Sequence, residues 1–205
     1  MRVGPGPGIV SLLLCACTAA SDDAPAAARD TTVATPGDTA AEAAVPEPPD
    51  SAADVRNAQW TVGVTDVSHD VTGAATLRAV RTARHAGYDR IVFDFGTAGL
   101  PAYHIEYIDR PVRQCGSGDT VSLAGDAWLQ IRMEPAYAHT DAGQPTIPER
   151  ALVPALPNLK ELVLTCDFEA QVEWVGGMAM PSSYRVLELS APSRLVVDVS
   201  HAVSR

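Results

Sequence analysis

The chain has 205 residues and a formal net charge of −10, with 25 acidic residues against 15 lysines and arginines. This length suits one domain, with or without tails. A net-acidic surface repels nucleic-acid phosphates and no basic block compensates for it, so a nucleic-acid partner is excluded. No run reaches the roughly 20 apolar residues that cross a bilayer as a helix, so no membrane-spanning helix is expected.

The first 16 residues have the layout of a secretory signal peptide. Arg2 supplies a positive charge and residues 9–14 form a short apolar stretch. The run Leu14-Cys15-Ala16-Cys17 resembles a bacterial lipobox, which has Leu three places before an invariant Cys. The resemblance implies cleavage after Ala16 and attachment of diacylglycerol to Cys17, with acyl chains such as palmitate. Two or three chains, at about 0.8 kcal/mol per buried methylene, would anchor the protein at the outer face of the cell membrane. The alternative is an ordinary cleaved signal peptide followed by an incidental cysteine.

The segment after Cys17 has the composition of a disordered tether. Residues 18–57 are mostly Ala, Pro, Asp, Thr and Ser, and eight acidic residues against two basic ones give this segment a charge of −6. Such a segment cannot bury enough apolar surface to offset its ordering entropy. We therefore predict a tether over residues 17–57, with an end-to-end distance of about 35 Å if it is fully flexible. The folded domain is expected over residues 58–205.

The remaining residues show the alternation of a β protein. Short runs alternate apolar and polar residues and are separated by Gly, Pro and Asp, and no segment keeps a helical period for three turns. About 148 residues in seven to nine strands predict an all-β fold, either a β-sandwich or a partly closed barrel. Residues 76–84 are ambiguous, because Leu77 and Val80 also suit a helical turn. The positions expected to share one face of their strands are Trp60, Val62, Val64; Ile91, Phe93, Phe95; Tyr103, Ile105, Tyr107; Ala127, Leu129, Ile131, Met133; Leu162, Leu164, Cys166, Phe168; Val172, Trp174; and Leu195, Val197, Val199.

Two cysteines, Cys115 and Cys166, lie in the predicted folded domain. A pair of cysteines in an exported domain most often forms a disulfide. Closing a loop of roughly 50 residues would stabilise the fold by about 4 kcal/mol on the chain-entropy model. The alternative is a catalytic thiol, although neither cysteine has a neighbouring His or Lys in the sequence.

The sequence predicts no catalytic residue, no metal site and no cofactor. The five histidines are scattered, and neither a His-x-x-x-His pair nor a Cys-x-x-Cys pair is present. The run Gly116-Ser117-Gly118 indicates a turn, because it lacks the Gly-x-Ser-x-Gly pattern of a nucleophile elbow. Carboxylates are plentiful, but no pair of them is marked out by its spacing.

Four stretches of sequence together resemble the AMIN-like domain of exported actinobacterial lipoproteins. They are residues 87–95 (GYDRIVFDF), 113–118 (RQCGSG), 184–189 (YRVLEL) and 192–199 (PSRLVVDV). The last is similar to the strand that ends AMIN domains proper, which are β-sandwich targeting modules of cell-wall amidases and pilus secretins. The resemblance extends over about residues 59–201. Family members commonly have Asp in place of Cys115 and a small or polar residue in place of Cys166, and two compensating departures favour the disulfide.

The resemblance implies a non-catalytic module that binds a cell-envelope polymer, by analogy peptidoglycan. An interaction module that binds another exported protein along an exposed sheet edge is one alternative, and a wall-active hydrolase is another. Arg and aromatic side chains suit sugar and carboxylate ligands, although Tyr88 and Trp128 could equally be core residues. The candidate binding residues are His85, Tyr88, Asp89, Arg90, Trp128 and Arg132.

Overall fold

A computed structural model describes residues 53–54, 59–96 and 98–203 of the chain. All regular elements in these ranges are β-strands, as the predicted all-β class requires. The predicted signal peptide (residues 1–16), the predicted lipidation site Cys17 and most of the predicted tether lie outside the described residues. Within the described ranges, no helix is long and apolar enough to cross a bilayer.

Thirteen strands follow one another in the described part of the chain. Eight of them have seven residues or more. The strands are β1 (Ala53–Asp54), β2 (Thr65–Val67), β3 (Ala75–Thr76), β4 (Ala79–His85), β5 (Tyr88–Gly96), β6 (Ala102–Ile108), β7 (Ala127–Glu134), β8 (Ala136–Tyr137), β9 (Ala151–Leu152), β10 (Leu159–Phe168), β11 (Gln171–Met178), β12 (Ser182–Ser190) and β13 (Ser193–Val203).

Two antiparallel sheets contain most of these strands. The five-stranded sheet has the order β1-β12-β13-β5-β4, and the six-stranded sheet has the order β2-β6-β7-β11-β10-β9. The short strands β3 and β8 pair in parallel as a separate ribbon. Neither large sheet closes on itself over the described residues, so the β-sandwich prediction is confirmed over the partly closed barrel.

The core lies between the two sheets, because alternate side chains of each strand point toward the opposite sheet. On β5, Phe93 and Phe95 are fully buried, and the ring of Phe93 lies 6.3 Å from that of Trp174 on β11. On β7, Leu129 and Ile131 belong to the same core cluster. The predicted alternation of β5 and β7 is therefore confirmed.

Polar side chains also join the two sheets. The buried carboxylate of Asp89 on β5 accepts hydrogen bonds from the backbone N–H groups of Asn158 (2.7 Å) and Leu159 (2.8 Å), where β10 begins. The hydroxyl of Tyr103 on β6 donates to buried Glu188 on β12 at 2.8 Å. The hydroxyl of Tyr184 on β12 lies 2.8 Å from the carbonyl oxygen of Ile105 on β6. Buried polar groups are costly without partners, so these bonds help to fix how one sheet sits on the other.

The prediction of a strand at residues 60–64 is wrong. Val62 and Val64 are exposed, and only Thr61 makes a bridge, with Tyr184. The Thr61 hydroxyl accepts a hydrogen bond from the N–H of Gly63 at 3.0 Å, which turns the chain, so that β2 begins only at Thr65. The ambiguous residues 76–84 contain no helix: Thr76 ends β3, and residues 79–84 belong to β4, which pairs along its whole length with β5.

A disulfide joins Cys115 to Cys166, with the Cα atoms 5.2 Å apart, as predicted. Cys115 lies in the connection between β6 and β7, and Cys166 lies on β10 just after an irregularity in the pairing with β11. This β-bulge shifts the alternation by one residue. It explains why Phe168, which was expected to share a face with buried Leu162, is 58 % exposed.

Candidate functional site

A tight hairpin places two candidate binding residues side by side. His85 ends β4 and Tyr88 begins β5, and the two form a cross-strand pair on either side of the two-residue turn at Ala86 and Gly87. Gly87 has a positive φ of 89°, which glycine adopts without steric cost. The pairing stacks the imidazole on the phenol ring, with the centroids 4.7 Å apart and the planes 6° from parallel.

An ion triad crosses three strands next to this hairpin. Asp198 on β13 lies opposite Arg185 on β12 and opposite Arg90 on β5 in the strand register. Arg90 donates to the Asp198 carboxylate through Nε (2.7 Å) and Nη2 (3.2 Å), and Arg185 donates to it through Nε (2.9 Å). The Asp198 side chain is fully buried and that of Arg90 is 6 % exposed, whereas that of Arg185 is 25 % exposed. Two guanidinium groups thus share one carboxylate, and that of Arg185 is the more exposed of the two.

Two aromatic rings enclose the exposed guanidinium. The Cζ atom of Arg185 lies 4.9 Å from the ring centroid of Trp60 and 5.0 Å from that of Tyr88, both within the range of cation–π contacts. The rings of Trp60 and Tyr88 meet edge to face at 6.2 Å. We call Trp60, His85, Tyr88, Arg90 and Arg185 the aromatic–arginine cluster. Trp60 is 42 % exposed and also borders a surface groove of about 350 Å³.

The structure gives Asp89 a position away from this surface. Asp89 is fully buried, and His201 Nε2 lies 2.7 Å from one carboxylate oxygen while the backbone N–H groups of Asn158 and Leu159 bond to the other. Successive residues of a strand point to opposite faces, so Asp89 faces the interior while Tyr88 and Arg90 face outward. Its carboxylate links β5 to the start of β10.

Trp128 and Arg132 lie on the other sheet. Both project from the outer face of β7, since Leu129, Ile131 and Met133 between and beside them belong to the core. Trp128 is stacked under the guanidinium of Arg110, whose Cζ lies 4.1 Å from the ring centroid. Arg132 borders a separate, smaller pocket with His104 and Glu134. The six candidate residues therefore divide into three in the aromatic–arginine cluster, one in the interior and two on the opposite sheet.

Sequence reasoning missed Trp60 and Arg185 as members of the cluster. The alternation around Trp60 predicts a strand, and the run at residues 184–189 that contains Arg185 indicates only a family resemblance. One signal is present in the sequence: Arg185 precedes the apolar pair Val186-Leu187, and Asp198 interrupts the apolar run from Leu195 to Val199. Their pairing across β12 and β13 could not be derived without the register.

A hydrogen-bonded group of His69, Tyr103 and Glu188 borders a surface pocket near the other end of β12. His69 Nε2 lies 3.2 Å from a Glu188 carboxylate oxygen, and its Nδ1 lies 3.0 Å from the carbonyl oxygen of Pro101. Tyr103 donates to the other oxygen of Glu188, so this carboxylate has partners on both sides. Among the described residues, no group of three or more His, Cys, Asp and Glu side chains is arranged to hold a metal ion.

Comparison with protein families identifies the domain. The sequence profile of the AMIN-like domain matches residues 75–201, more than half of the chain. The chain belongs to the AMIN-like domain family. AMIN-like domains are non-catalytic targeting modules, and their presence points to an exported or cell-envelope protein. The match includes every residue of the aromatic–arginine cluster except Trp60. Comparisons with curated proteins and with solved structures gave no match.

Proposed function

We propose that this chain is an exported lipoprotein whose β-sandwich binds peptidoglycan without catalysing a reaction. In this proposal, residues 1–16 are a signal peptide and Cys17 carries the lipid anchor. Residues 17–57 form the tether, and the AMIN-like domain occupies residues 58–205. The lipobox-like run before Cys17 and the low apolar content of residues 18–57 support this arrangement.

The aromatic–arginine cluster is the observation that carries the binding proposal. An exposed indole offers an apolar ring face to a sugar, and a partly exposed guanidinium offers directed N–H donors to a carboxylate. Peptidoglycan contains both groups, sugar rings in its glycan and carboxylates in its peptides. Trp60 and Arg185 present these two recognition elements within one contact distance of each other.

The cluster presents an arginine at the surface of an acidic protein. Arg185 adds a partly exposed guanidinium to this surface, although the whole chain has a net charge of −10. This guanidinium gives a carboxylate of an anionic polymer a point of attachment on the surface. Each contact can be weak, because a polymer offers many equivalent sites and a membrane anchor keeps the domain close to them.

Co-sedimentation with isolated peptidoglycan tests this proposal. The full chain carrying Cys15→Ser and Cys17→Ser, so that no lipid can be attached, should pellet saturably with the polymer and more than an unrelated acidic β domain. Trp60→Ala and Arg185→Gln should each weaken pelleting several-fold, and added salt should weaken it because part of the attraction is ionic. Phe168→Ala and Arg113→Gln are the matched controls, because they remove an exposed ring and an exposed cation outside the cluster.

Three results would contradict the proposal in different ways. Equal pelleting of the cluster variants and the controls would remove the cluster from the binding site. No pelleting of the unmodified chain would exclude direct binding and favour an exported protein partner. Release of soluble wall fragments, abolished by neutralising one carboxylate, would show a hydrolase.

A protein partner that adds a strand to the five-stranded sheet receives less support from the structure. Among the described residues, the edge strand β4 pairs only with β5, and it carries the exposed side chains of Arg81 and Arg84. Charged side chains on an edge strand oppose pairing with a further strand.

A further inference from the structure

The connection between β6 and β7 forms a folded flap over the outer face of the six-stranded sheet. Its two arms pair through the bond from the Val121 N–H to the Val112 carbonyl (2.9 Å). Val112 and Leu123 pack on Val163 of β10 and Val175 of β11, which makes a second small core outside the sandwich. The disulfide and the bond from the Cys115 N–H to the Thr165 carbonyl (3.1 Å) fix the tip of the flap to β10.

A cavity of about 280 Å³ lies between this flap and β7. Its walls are apolar at Val112, Val121 and Leu123, while Thr120 contributes a hydroxyl and Arg110 a guanidinium. Trp128 of β7 also lines it. Binding pockets for drug-sized molecules run from about 300 to 1,000 Å³, so this cavity suits a smaller ligand.

Arg110 is positioned in this cavity without a carboxylate partner. Its guanidinium is stacked on the Trp128 ring, and its Nη2 approaches the carbonyl oxygens of Leu123 (3.5 Å) and Gly125 (3.4 Å). Among the described residues, no acidic side chain lies within ion-pair distance of it. Arg185, which is also stacked on aromatic rings, differs because it bonds to the carboxylate of Asp198. Arg110 is thus held in place by stacking while its charge remains available.

Trp128 supplies a second unsatisfied group. Its indole Nε1 is buried and has no hydrogen-bond partner within the part of the chain that the structure describes. A buried donor without an acceptor costs about 1–3 kcal/mol, and most such donors in proteins are satisfied. Because this donor has no accessible surface, it marks a firmly packed indole, and the negative charge of a ligand in the cavity is met by Arg110 alone.

We propose that the flap cavity binds a terminal carboxylate that has a small apolar group next to it, as at the C-terminus of a short peptide that ends in alanine. Arg110 holds the carboxylate, and the aliphatic walls contact the methyl group next to the Trp128 ring on which Arg110 is stacked. This site lies on the sheet opposite to the aromatic–arginine cluster, and it does not depend on the proposed binding of glycan there.

The indole N–H signals in an NMR spectrum of the full chain test this proposal. The chain has three tryptophans, so it gives three such signals, and Trp128→Phe identifies the one that matters. The probe is N-acetyl-alanyl-alanine, and the matched control is the same peptide with a C-terminal amide. The carboxylate should shift the Trp128 signal saturably at millimolar concentration, and the amide should bind about tenfold more weakly because it lacks the charge.

Variants of two arginines in the flap separate a specific site from general attraction. Arg110→Gln should weaken binding of the carboxylate about tenfold, whereas Arg113→Gln, which removes an exposed cation from the same flap, should leave it unchanged. Unchanged signals of Trp60 and Trp174 show that the variants remain folded. Equal shifts with acid and amide, or no shift of the Trp128 signal in the unmodified chain, would overturn the proposal.

The stereochemistry of the probe identifies the source of the carboxylate. Tighter binding of the D,D peptide supports the site and indicates a cell-wall peptide. Tighter binding of the L,L peptide supports the site and indicates the C-terminus of an exported protein. Trp60→Ala should not change either affinity, so this site can fail while the proposed peptidoglycan binding stands, and the reverse also holds.

Discussion

At the scale of single residues, two buried carboxylates organise the five-stranded sheet. Asp89 and Asp198 have no exposed surface, and each is bonded to groups from more than one strand or loop. Asp89 and Arg90 are adjacent in the sequence, and an adjacent acid and base suggest a surface ion pair. The register shows instead that Asp89 serves the interior and Arg90 bonds to Asp198 across the sheet. The two side chains do not pair with each other, because adjacent residues of a strand project from opposite faces of the sheet.

Asp198→Asn should destabilise the fold by about 3–5 kcal/mol. The change removes a fully buried negative charge that lies between two guanidinium groups, one of them buried. Urea unfolding of the variant, compared with that of the exposed substitution Asp119→Asn, measures the loss. A loss no larger than that of Asp119→Asn would show that Asp198 is not required to pair the two arginines.

Two tyrosines make the stability depend on alkaline pH. Burial raises the pKa of Tyr184, and burial likewise raises the pKa of Tyr107, whose hydroxyl donates to the Ser182 carbonyl at 2.7 Å. Below pH of about 10 both folded and unfolded states keep these protons. Above it the unfolded state loses them first, so the free energy of unfolding falls until the raised pKa values are passed. Tyr184→Phe should make this fall shallower, as measured by urea unfolding at a series of pH values. An unchanged slope would contradict the assignment.

At the scale of elements, the disulfide determines whether the flap stays on the sheet. It closes a loop with a sequence separation of 51 residues between Cys115 and Cys166. The flap has no long strand of its own, and its apolar contacts with β10 and β11 form only a small cluster. The covalent bond therefore supplements a weakly packed element.

Replacing Cys115 and Cys166 together by serine should lower the free energy of unfolding by about 4 kcal/mol on the chain-entropy model. The same variant should also weaken binding of the alanine peptide, because the flap carries most of the cavity wall. Urea unfolding and titration of the Trp128 signal measure the two effects. A stable variant that keeps full affinity would show that apolar packing alone holds the flap.

Sequence periodicity predicts the long strands well and their interruptions poorly. Strands β5, β6 and β7 alternate as expected, because each has one face on the core. The bulge after Leu164 has no sequence signal in a single chain, and it reverses the side on which Phe168 lies. The turn at Thr61 and Gly63 also has no clear sequence signal, because Val62 and Val64 alternate as in a strand although both are exposed.

At the scale of the whole molecule, the candidate site is assembled from distant parts of the chain. Trp60 precedes the first long strand, His85 and Tyr88 flank a hairpin, and Arg185 comes from β12. The hairpin is local, because the turn at Gly87 brings its two flanking residues together. The contact of Arg185 with Trp60 depends on sheet order, which composition and spacing do not determine. The structure describes two residues of the predicted tether, Ala53 and Asp54, and these form β1, which pairs with β12.

The position of β13 also determines when the five-stranded sheet can be completed during synthesis of the chain. This strand lies between β12 and β5 in the five-stranded sheet, about 100 residues along the chain from its partner β5. The sheet therefore stays divided until residues 193–203 have been synthesised, and contacts of such long range form slowly. A chain that has emerged only as far as β12 cannot complete its core. If the chain is exported unfolded, completion of this sheet follows the arrival of its last strand.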